Sequence, residues 1–389
     1  MHAAAILLPT RDRRIEAFRM SEPVELPVIA PGPFNRIVYS AAHVVADPLA
    51  DIDPTLGCAI DWDATMRHRE RLWDLGFGIA EAMDTAQRGM GLDWLTSREL
   101  IRRSVAAARA RNAPIACGAG TDHLAATPDT TIEQVIAAYE EQVGDIEGLG
   151  GRVILMASRA LASVARSPED YARVYGRILS QAREKVILHW LGEMFDPALA
   201  GYWGHSDIDT AMETCLGIIA RHADKIDGIK ISLLDKEREI AMRRRLPSGV
   251  SMYTGDDFSF PELIAGDGEG HSEALLGIFD GIAPVASQAL SCLADGDRDG
   301  YFRLMNPTIP LSRHIFKSPT RFYKTGLVFL AWLNGWQDHF TMVAGQESAR
   351  SLVHLADLFR RADHACALTN PDLARHRMRL YLETRGVTG

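Results

Sequence analysis

The feature that most constrains this chain is the serial recurrence of short, β-branched apolar runs separated by amphipathic stretches of helical length. The runs are RIVYS from 36, GIAEAM from 78, PIACG from 114, RVILM from 152, VILHW from 186 and DGIKIS from 227. VSMYTG from 250 is a seventh, and the short GEGHS from 268 supplies an eighth. Between them, Asp63–Leu75, Ser97–Ala110, Thr131–Leu149, Pro168–Arg183 and Ser206–His222 carry apolar residues at helical spacing. Several of these open on Ser, Thr, Asp or Pro, as helix starts do. Strand–helix units in series imply a parallel sheet. No GxGxxG follows the first strand and no P-loop occurs, so the nucleotide-binding open sheets lose their usual support, and a count of eight selects a closed (β/α)8 TIM barrel.

The barrel is expected over 34–283, between an N-terminal extension (1–33) and a C-terminal helical extension (284–389). The opening AAILLPTRDRRIEAFRM reads as a β-hairpin in which Ile15, Ala17 and Arg19 share a face, and Pro23, Pro27, Pro31 and Pro33 make the following stretch a linker. Beyond Gly281 the pattern is helical over Ala283–Leu293, Arg298–Asn306, Phe322–Leu333 and Glu347–Arg361. Aromatic residues on several faces of that tail (Phe322, Tyr323, Phe329, Trp332, Trp336) suggest burial against another subunit in a homo-oligomer.

Composition narrows the partners. A formal charge of −9 with dispersed Lys and Arg offers no stripe that could follow a phosphate backbone, so nucleic acid is excluded as a partner. The run Arg243-Arg244-Arg245 ends an expected helix, where cations suit the dipole. Five cysteines lie far apart without a CxxC pair and read as core residues of a reducing compartment. The apolar patch Ala3–Leu8 is too short to span a bilayer and lacks a preceding basic region, so the expected location is cytoplasmic, away from membranes.

Active sites of (β/α) barrels are built from the C-terminal ends of the strands. The polar residues there include Glu81 and Asp84, His123, Arg159, His189 and Glu193, Lys230, Asp256 and Asp257, and His271. Lys230 is the sharpest. Ile229 and Ile231 flank it on the opposite strand face, so a period of two turns Lys230 into the barrel. Desolvation there lowers an amine's pKa and yields the nucleophile that attacks a carbonyl carbon; an inward lysine paired to Glu81 or Asp256 in a structural ion pair has the same spacing.

DGIKISLLD (227–235) resembles the segment that carries the Schiff-base lysine in the dihydrodipicolinate synthase and N-acetylneuraminate lyase family. SMYTGDDFSFPELIAGDGEGHSEALLGIF (251–279) is similar to that family's following strand, Gly-Asp-Asp turn and glycine-rich eighth unit. Weaker similarities run through LWDLGFGIAEAM, LTSREL, PIACGAGTDH and KVILHW. LADGDRDGYFRLMNPTIPLSRHIF (293–316) and FYKTGLVFLAWLNG (322–335) resemble the family's terminal helices, so the likeness spans roughly residues 34 to 336 in order. It implies a class I aldolase-type lyase without a cofactor, acting through Lys230 on a small carbonyl compound such as a keto-sugar or sugar-derived acid.

The chain also departs from the family. The family's Gly-Thr-Thr-Gly-Glu, which holds a keto-acid carboxylate, is replaced by Glu81-Ala82-Met83-Asp84-Thr85-Ala86-Gln87, and its strand-five tyrosine by His189. Carboxylates there argue against a pyruvate-type donor. His189 becomes the expected acid/base, with Glu81, Asp84, Arg159, Asp256 and His271 expected to bind substrate. Two other readings use the same residues: a divalent-metal-dependent sugar isomerase or lyase liganded from Glu81, Asp84, His123, His189, Glu193 and His271, and a non-catalytic sugar-binding barrel.

Overall fold

The computed structural model describes residues 5–21 and 33–387, so Pro23, Pro27 and Pro31 of the expected linker lie outside the described residues. The chain forms two compact units. One consists of Arg36–Ala42 and Gly78–Leu276; the other gathers the N-terminal segment, His43–Phe77 and the chain from Gly277 onward. Compactness thus divides the chain differently from the expected boundaries at 33/34 and 283/284.

The first unit is a closed parallel barrel of eight strands: β3 (Val38–Ala41), β4 (Gly78–Glu81), β5 (Ile115–Ala119), β6 (Arg152–Met156), β7 (Val186–Leu191), β8 (Ile226–Ser232), β9 (Ser251–Thr254) and β10 (Glu273–Leu276). They pair in chain order, and β10 closes onto β3. The expected eighth strand is corrected. GEGHS is a turn in which the Asp267 carboxylate accepts the amides of Glu269 and Gly270, and the strand begins at Glu273. Glycines at 268 and 270 favour that turn over extended pairing.

The barrel interior is packed by large residues against small ones. Tyr39, Ala41, Ala80, Ala116, Ile154, Met156, Ile187, Tyr253 and Leu275 form one buried cluster. Gly228 is required where the Tyr253 ring crosses β8, since a Cβ at that position would lie 2.6 Å from the ring. Toward the N-terminal end the Tyr253 hydroxyl donates to Asp227 (2.7 Å), which also pairs with Arg152. The intervening helices start as their sequences imply. Thr131 and Gln134 form a capping box on Ile132–Leu149, and Asp93, Asp207 and Asp235 cap Trp94–Arg111, Ile208–Arg221 and Lys236–Arg243.

In the second unit the N-terminal segment is the expected antiparallel hairpin, β1 (Ala5–Pro9) with β2 (Ile15–Arg19). Ile15, Ala17 and Arg19 are all exposed. Ile6 and Leu8 are buried, and Phe18 packs edge-on against Phe359. The tail aromatics are used within the chain: Phe329 meets Trp332, Phe340 and Tyr381, Tyr323 stacks on Phe316, and the Arg71 guanidinium lies over Trp336. Phe322, Trp332 and Trp336 remain partly exposed. Among the described residues no helix is long and apolar enough to cross a membrane, and the five cysteines are free thiols.

Behind the strands, Glu239 is fully buried, accepting from Thr254 Oγ1 (3.0 Å) and Ser272 Oγ (2.7 Å). Burial raises its pKa from 4.5 to about 8. The folded state therefore holds a proton that the unfolded chain has released, so the stability this group contributes is complete below the unfolded carboxyl pKa and is lost as pH rises toward 8. Glu239→Gln keeps a neutral hydrogen-bonding group. It is expected to flatten the decline in unfolding free energy between about pH 5 and 8, a change on the order of a few kcal/mol in denaturant titrations. An unchanged slope would show that Glu239 is ionised in the fold.

Candidate active site

The register along the barrel places Met156, His189, Lys230 and Tyr253 side by side on the lumen face, because each is the direct partner of the next in adjacent parallel strands. Lys230 points inward as its flanking isoleucines imply, and it is 7% exposed. Burial pulls its ammonium below the usual lysine pKa, while the charges of Asp257 and Asp84 oppose that shift. Gly255 lies against the lysine, where a Cβ would come within 2.8 Å of Lys230 Cε, 2.6 Å of the Ile231 carbonyl and 2.3 Å of Ser232 Oγ.

His189 is 1% exposed, and its Nε2 lies 3.3 Å from Ser232 Oγ. Burial, and then the charge of Lys230, hold it well below the ordinary imidazole pKa. A neutral imidazole is a hydrogen-bond donor at one nitrogen and an acceptor at the other. The strand-five residue is desolvated more deeply than an apolar run alone reveals.

His189 also walls a pocket of about 260 Å³ together with Asp84, Thr121, Ser158, Met156 and Leu191. Lys230 is not among the lining residues and lies one strand beyond His189. Thr121 and Ser158 present paired hydroxyls (2.5 Å), and Ser158 is tied by its amide to Tyr202, whose hydroxyl meets Tyr175 at 3.0 Å. Burial raises the pKa of both tyrosines well above the usual value. These tyrosines come to the end of β6 from distant segments, so neither strand pattern nor local motif revealed them.

The remaining expected site residues separate. Asp84 lines the pocket and opens a 3-10 turn (Asp84–Ala86). The turn follows Ala82, which adopts a left-handed φ of 53°. Arg159 also lines the pocket but is paired to Asp196 through Nε, with its side chain 50% exposed. Glu81 does not face the lumen: it follows the inward Ala80, and period two turns it to the other face, where its Oε1 accepts the Ala82 amide at 2.8 Å. Asp256 folds back to accept the amides of Phe258 (2.7 Å) and Ser259 (2.9 Å), and the neighbouring Asp257 is the carboxylate felt by Lys230. His271 precedes β10, hence at the N-terminal end of the barrel, where it is exposed and meets Glu273 at 3.4 Å.

The set Glu81, Asp84, His123, His189, Glu193 and His271 is therefore not gathered around one ion. The residues that do gather are His43, His68 and Asp280 of the second unit, with ligand-type atoms within 4.8 Å of one another. Each Asp280 oxygen accepts from one imidazole, His43 Nδ1 at 2.6 Å and His68 Nε2 at 2.7 Å, and Gln337 holds the other His43 nitrogen at 2.8 Å. The two imidazoles hold the Asp280 carboxyl far below the usual range against the cost of burial, while burial takes His68 down to about 3. Arg69 donates to the His43 carbonyl and the charge of Arg71 reaches Asp280, so a further cation would meet two guanidinium groups. The carboxylate is already satisfied by hydrogen bonds. Asp280 and Gln337 lie more than two hundred positions from the two histidines, which hid the cluster from sequence spacing.

An eight-stranded parallel barrel with an inward, desolvated lysine on its sixth strand places the protein among the lysine-bearing (β/α)8 barrels by fold. The chain belongs to the family described as "Protein of unknown function (DUF993)", whose model matches residues 6–387. No curated protein matches it. Solved structures with the same fold include the 4-hydroxy-tetrahydrodipicolinate synthase of Methylacidiphilum fumariolicum SolV (15% identity, TM-score 0.63, covering 87% of this chain and 99% of that one). Others are the dihydrodipicolinate synthase of Bacteroides thetaiotaomicron (16%, TM-score 0.61, 87% and 100%) and a putative dihydrodipicolinate synthetase of Pseudomonas aeruginosa (18%, TM-score 0.60, 83% and 99%). The chain shares the fold of the dihydrodipicolinate synthase and N-acetylneuraminate lyase superfamily.

Gly255→Ala tests how tightly the lysine is seated. Overpacking against backbone and the lysine stem is expected to cost about 1–3 kcal/mol of stability in denaturant unfolding. It should also change the rate at which Lys230 reacts with an amine-directed reagent, followed by peptide mass mapping. Unaltered stability and labelling would mean that the contact is relieved without moving Lys230.

Proposed function

We propose that the protein is a Schiff-base-forming lyase acting on a small carbonyl compound. The observation that carries this reading is the lumen-facing Lys230 amine, desolvated beside a neutral His189 that walls a pocket. In the proposed reaction Lys230 Nζ adds to the carbonyl carbon, and the carbinolamine loses water to leave an iminium. The iminium accepts the electron pair of the carbon–carbon bond that breaks on the adjacent carbon, while the hydroxyl of the departing fragment gives its proton to a base and that fragment leaves as an aldehyde or ketone. A proton is delivered to the resulting enamine, and water then releases the product and the free amine. His189 and the Thr121–Ser158 hydroxyl pair are the groups positioned to pass protons, since all three line the pocket.

Borohydride added during incubation with a carbonyl substrate is expected to leave a covalent adduct on Lys230, located by peptide mass mapping. No adduct on that lysine under turnover would end the Schiff-base reading. This chemistry requires no metal. Exhaustive chelation is expected to leave turnover and melting temperature unchanged, and a fall in either that metal readdition reverses would favour a metal-dependent isomerase or lyase instead.

His189→Ala is expected to lower turnover by roughly a hundredfold with little change in the Michaelis constant, as for loss of a general acid–base group. With the imidazole pKa already held well below its usual value, the pH–rate profile of the wild type should show no ionisation near 6.5 that the variant lacks. Equal turnover rates would make His189 a structural residue.

A further inference from the structure

The ionic groups that wall the pocket are Asp84, Asp122 and Asp196 against Arg88 and Arg159, one more carboxylate than guanidinium. Arg88 cannot serve as an anion anchor. Its Nε and Nη2 grip both oxygens of Asp122 (3.1 and 2.7 Å), its Nη1 donates to the Gly118 and Ala82 carbonyls (2.6 and 3.4 Å), and Nη2 also donates to Gln142. A guanidinium has five N–H donors, and these contacts use all of them. Arg159 is partly neutralised by Asp196 and is half exposed, so water screens what charge it has left. Asp84 remains without a cation in the pocket wall, and it is also the lining carboxylate whose charge acts on Lys230.

A 2-keto acid bound through Lys230 carries its carboxylate on the carbon that the amine attacks. That carboxylate would share the pocket with Asp84, and the two like charges would repel one another. Hydroxyl groups have the opposite preference. A carboxylate accepts their hydrogens, and the Thr121–Ser158 hydroxyl pair both donates and accepts.

We propose that the pocket takes an uncharged polyhydroxylated aldehyde or ketone whose carbonyl carbon bears no carboxylate, with Asp84 as the specificity-determining residue. The inference rests on the Schiff-base reading for its chemistry but not for its binding order, so the two are tested apart.

Dihydroxyacetone and pyruvate have the same number of heavy atoms and differ in charge next to the carbonyl, which makes them the probes. With cyanoborohydride present, dihydroxyacetone is expected to modify Lys230 of the wild type at least tenfold faster than pyruvate. Asp84→Asn should raise the pyruvate rate by about tenfold and narrow that ratio. The Lys230→Met variant, which cannot form an imine, should show a larger rise in melting temperature with dihydroxyacetone than with equimolar pyruvate. Faster modification by pyruvate in the wild type, or stronger protection of Lys230→Met by pyruvate, overturns the substrate class. Absence of any Lys230 adduct with the binding order as expected overturns the imine chemistry and supports the substrate class.

Discussion

An amine inside a closed barrel is costly to keep charged, and much of the lumen around Lys230 can be understood from that cost. Water that would solvate an ammonium is displaced by Tyr253, Met156 and Ile187, which fill the layers beside and below it. The two carboxylates that oppose the shift, Asp257 and Asp84, come from turns at the ends of β9 and β4, and none comes from the packed interior. Desolvation is the largest influence, so the free amine becomes more accessible than on a surface lysine. The same burial, and then the charge of Lys230, hold the His189 imidazole well below its ordinary pKa.

Period two made part of this arrangement legible. Lys230 lies between two isoleucines and His189 follows an apolar run, so the parity of each could be read and each faces the lumen. Where parity was not read, the expectation failed. Glu81 ends its strand, but Ala80 beside it occupies the interior, and the carboxylate turns the other way. His271 failed for a different reason: with the eighth strand placed at GEGHS, the histidine seemed to end a strand that in fact starts two residues later. Asp256 and Asp257 are adjacent and chemically identical, and only the turn geometry decides that the first binds backbone amides while the second acts on the lysine.

Groups assembled from remote segments left no local signal. Tyr202, from a 3-10 turn after β7, accepts the Ser158 amide, and Tyr175 of the helix Pro168–Gln181 meets the Tyr202 hydroxyl in turn, supplying hydroxyls at a strand end whose own sequence has none from tyrosine. His43, His68, Asp280 and Gln337 likewise meet only in the folded second unit. Removing one member of this buried ionic network would leave its partners unsatisfied, at a cost larger than the network's net contribution.

The charge of the pocket is a property of the backbone as much as of the side chains. Arg88 donates to the Ala82 carbonyl at the left-handed turn after β4 and to the Gly118 carbonyl on β5, so one guanidinium spans the loop that presents Asp84 and the strand beside it. Gln142 adds a third anchor from the helix Ile132–Leu149, where it also donates to Asp122. A residue held at five donors cannot swing toward a ligand without leaving buried carbonyls unpaired, which costs about 1–3 kcal/mol for each. The negative end of the pocket is therefore fixed before any substrate arrives. The loop after β4 is braced by Arg88 and places the Asp84 carboxylate in the pocket wall.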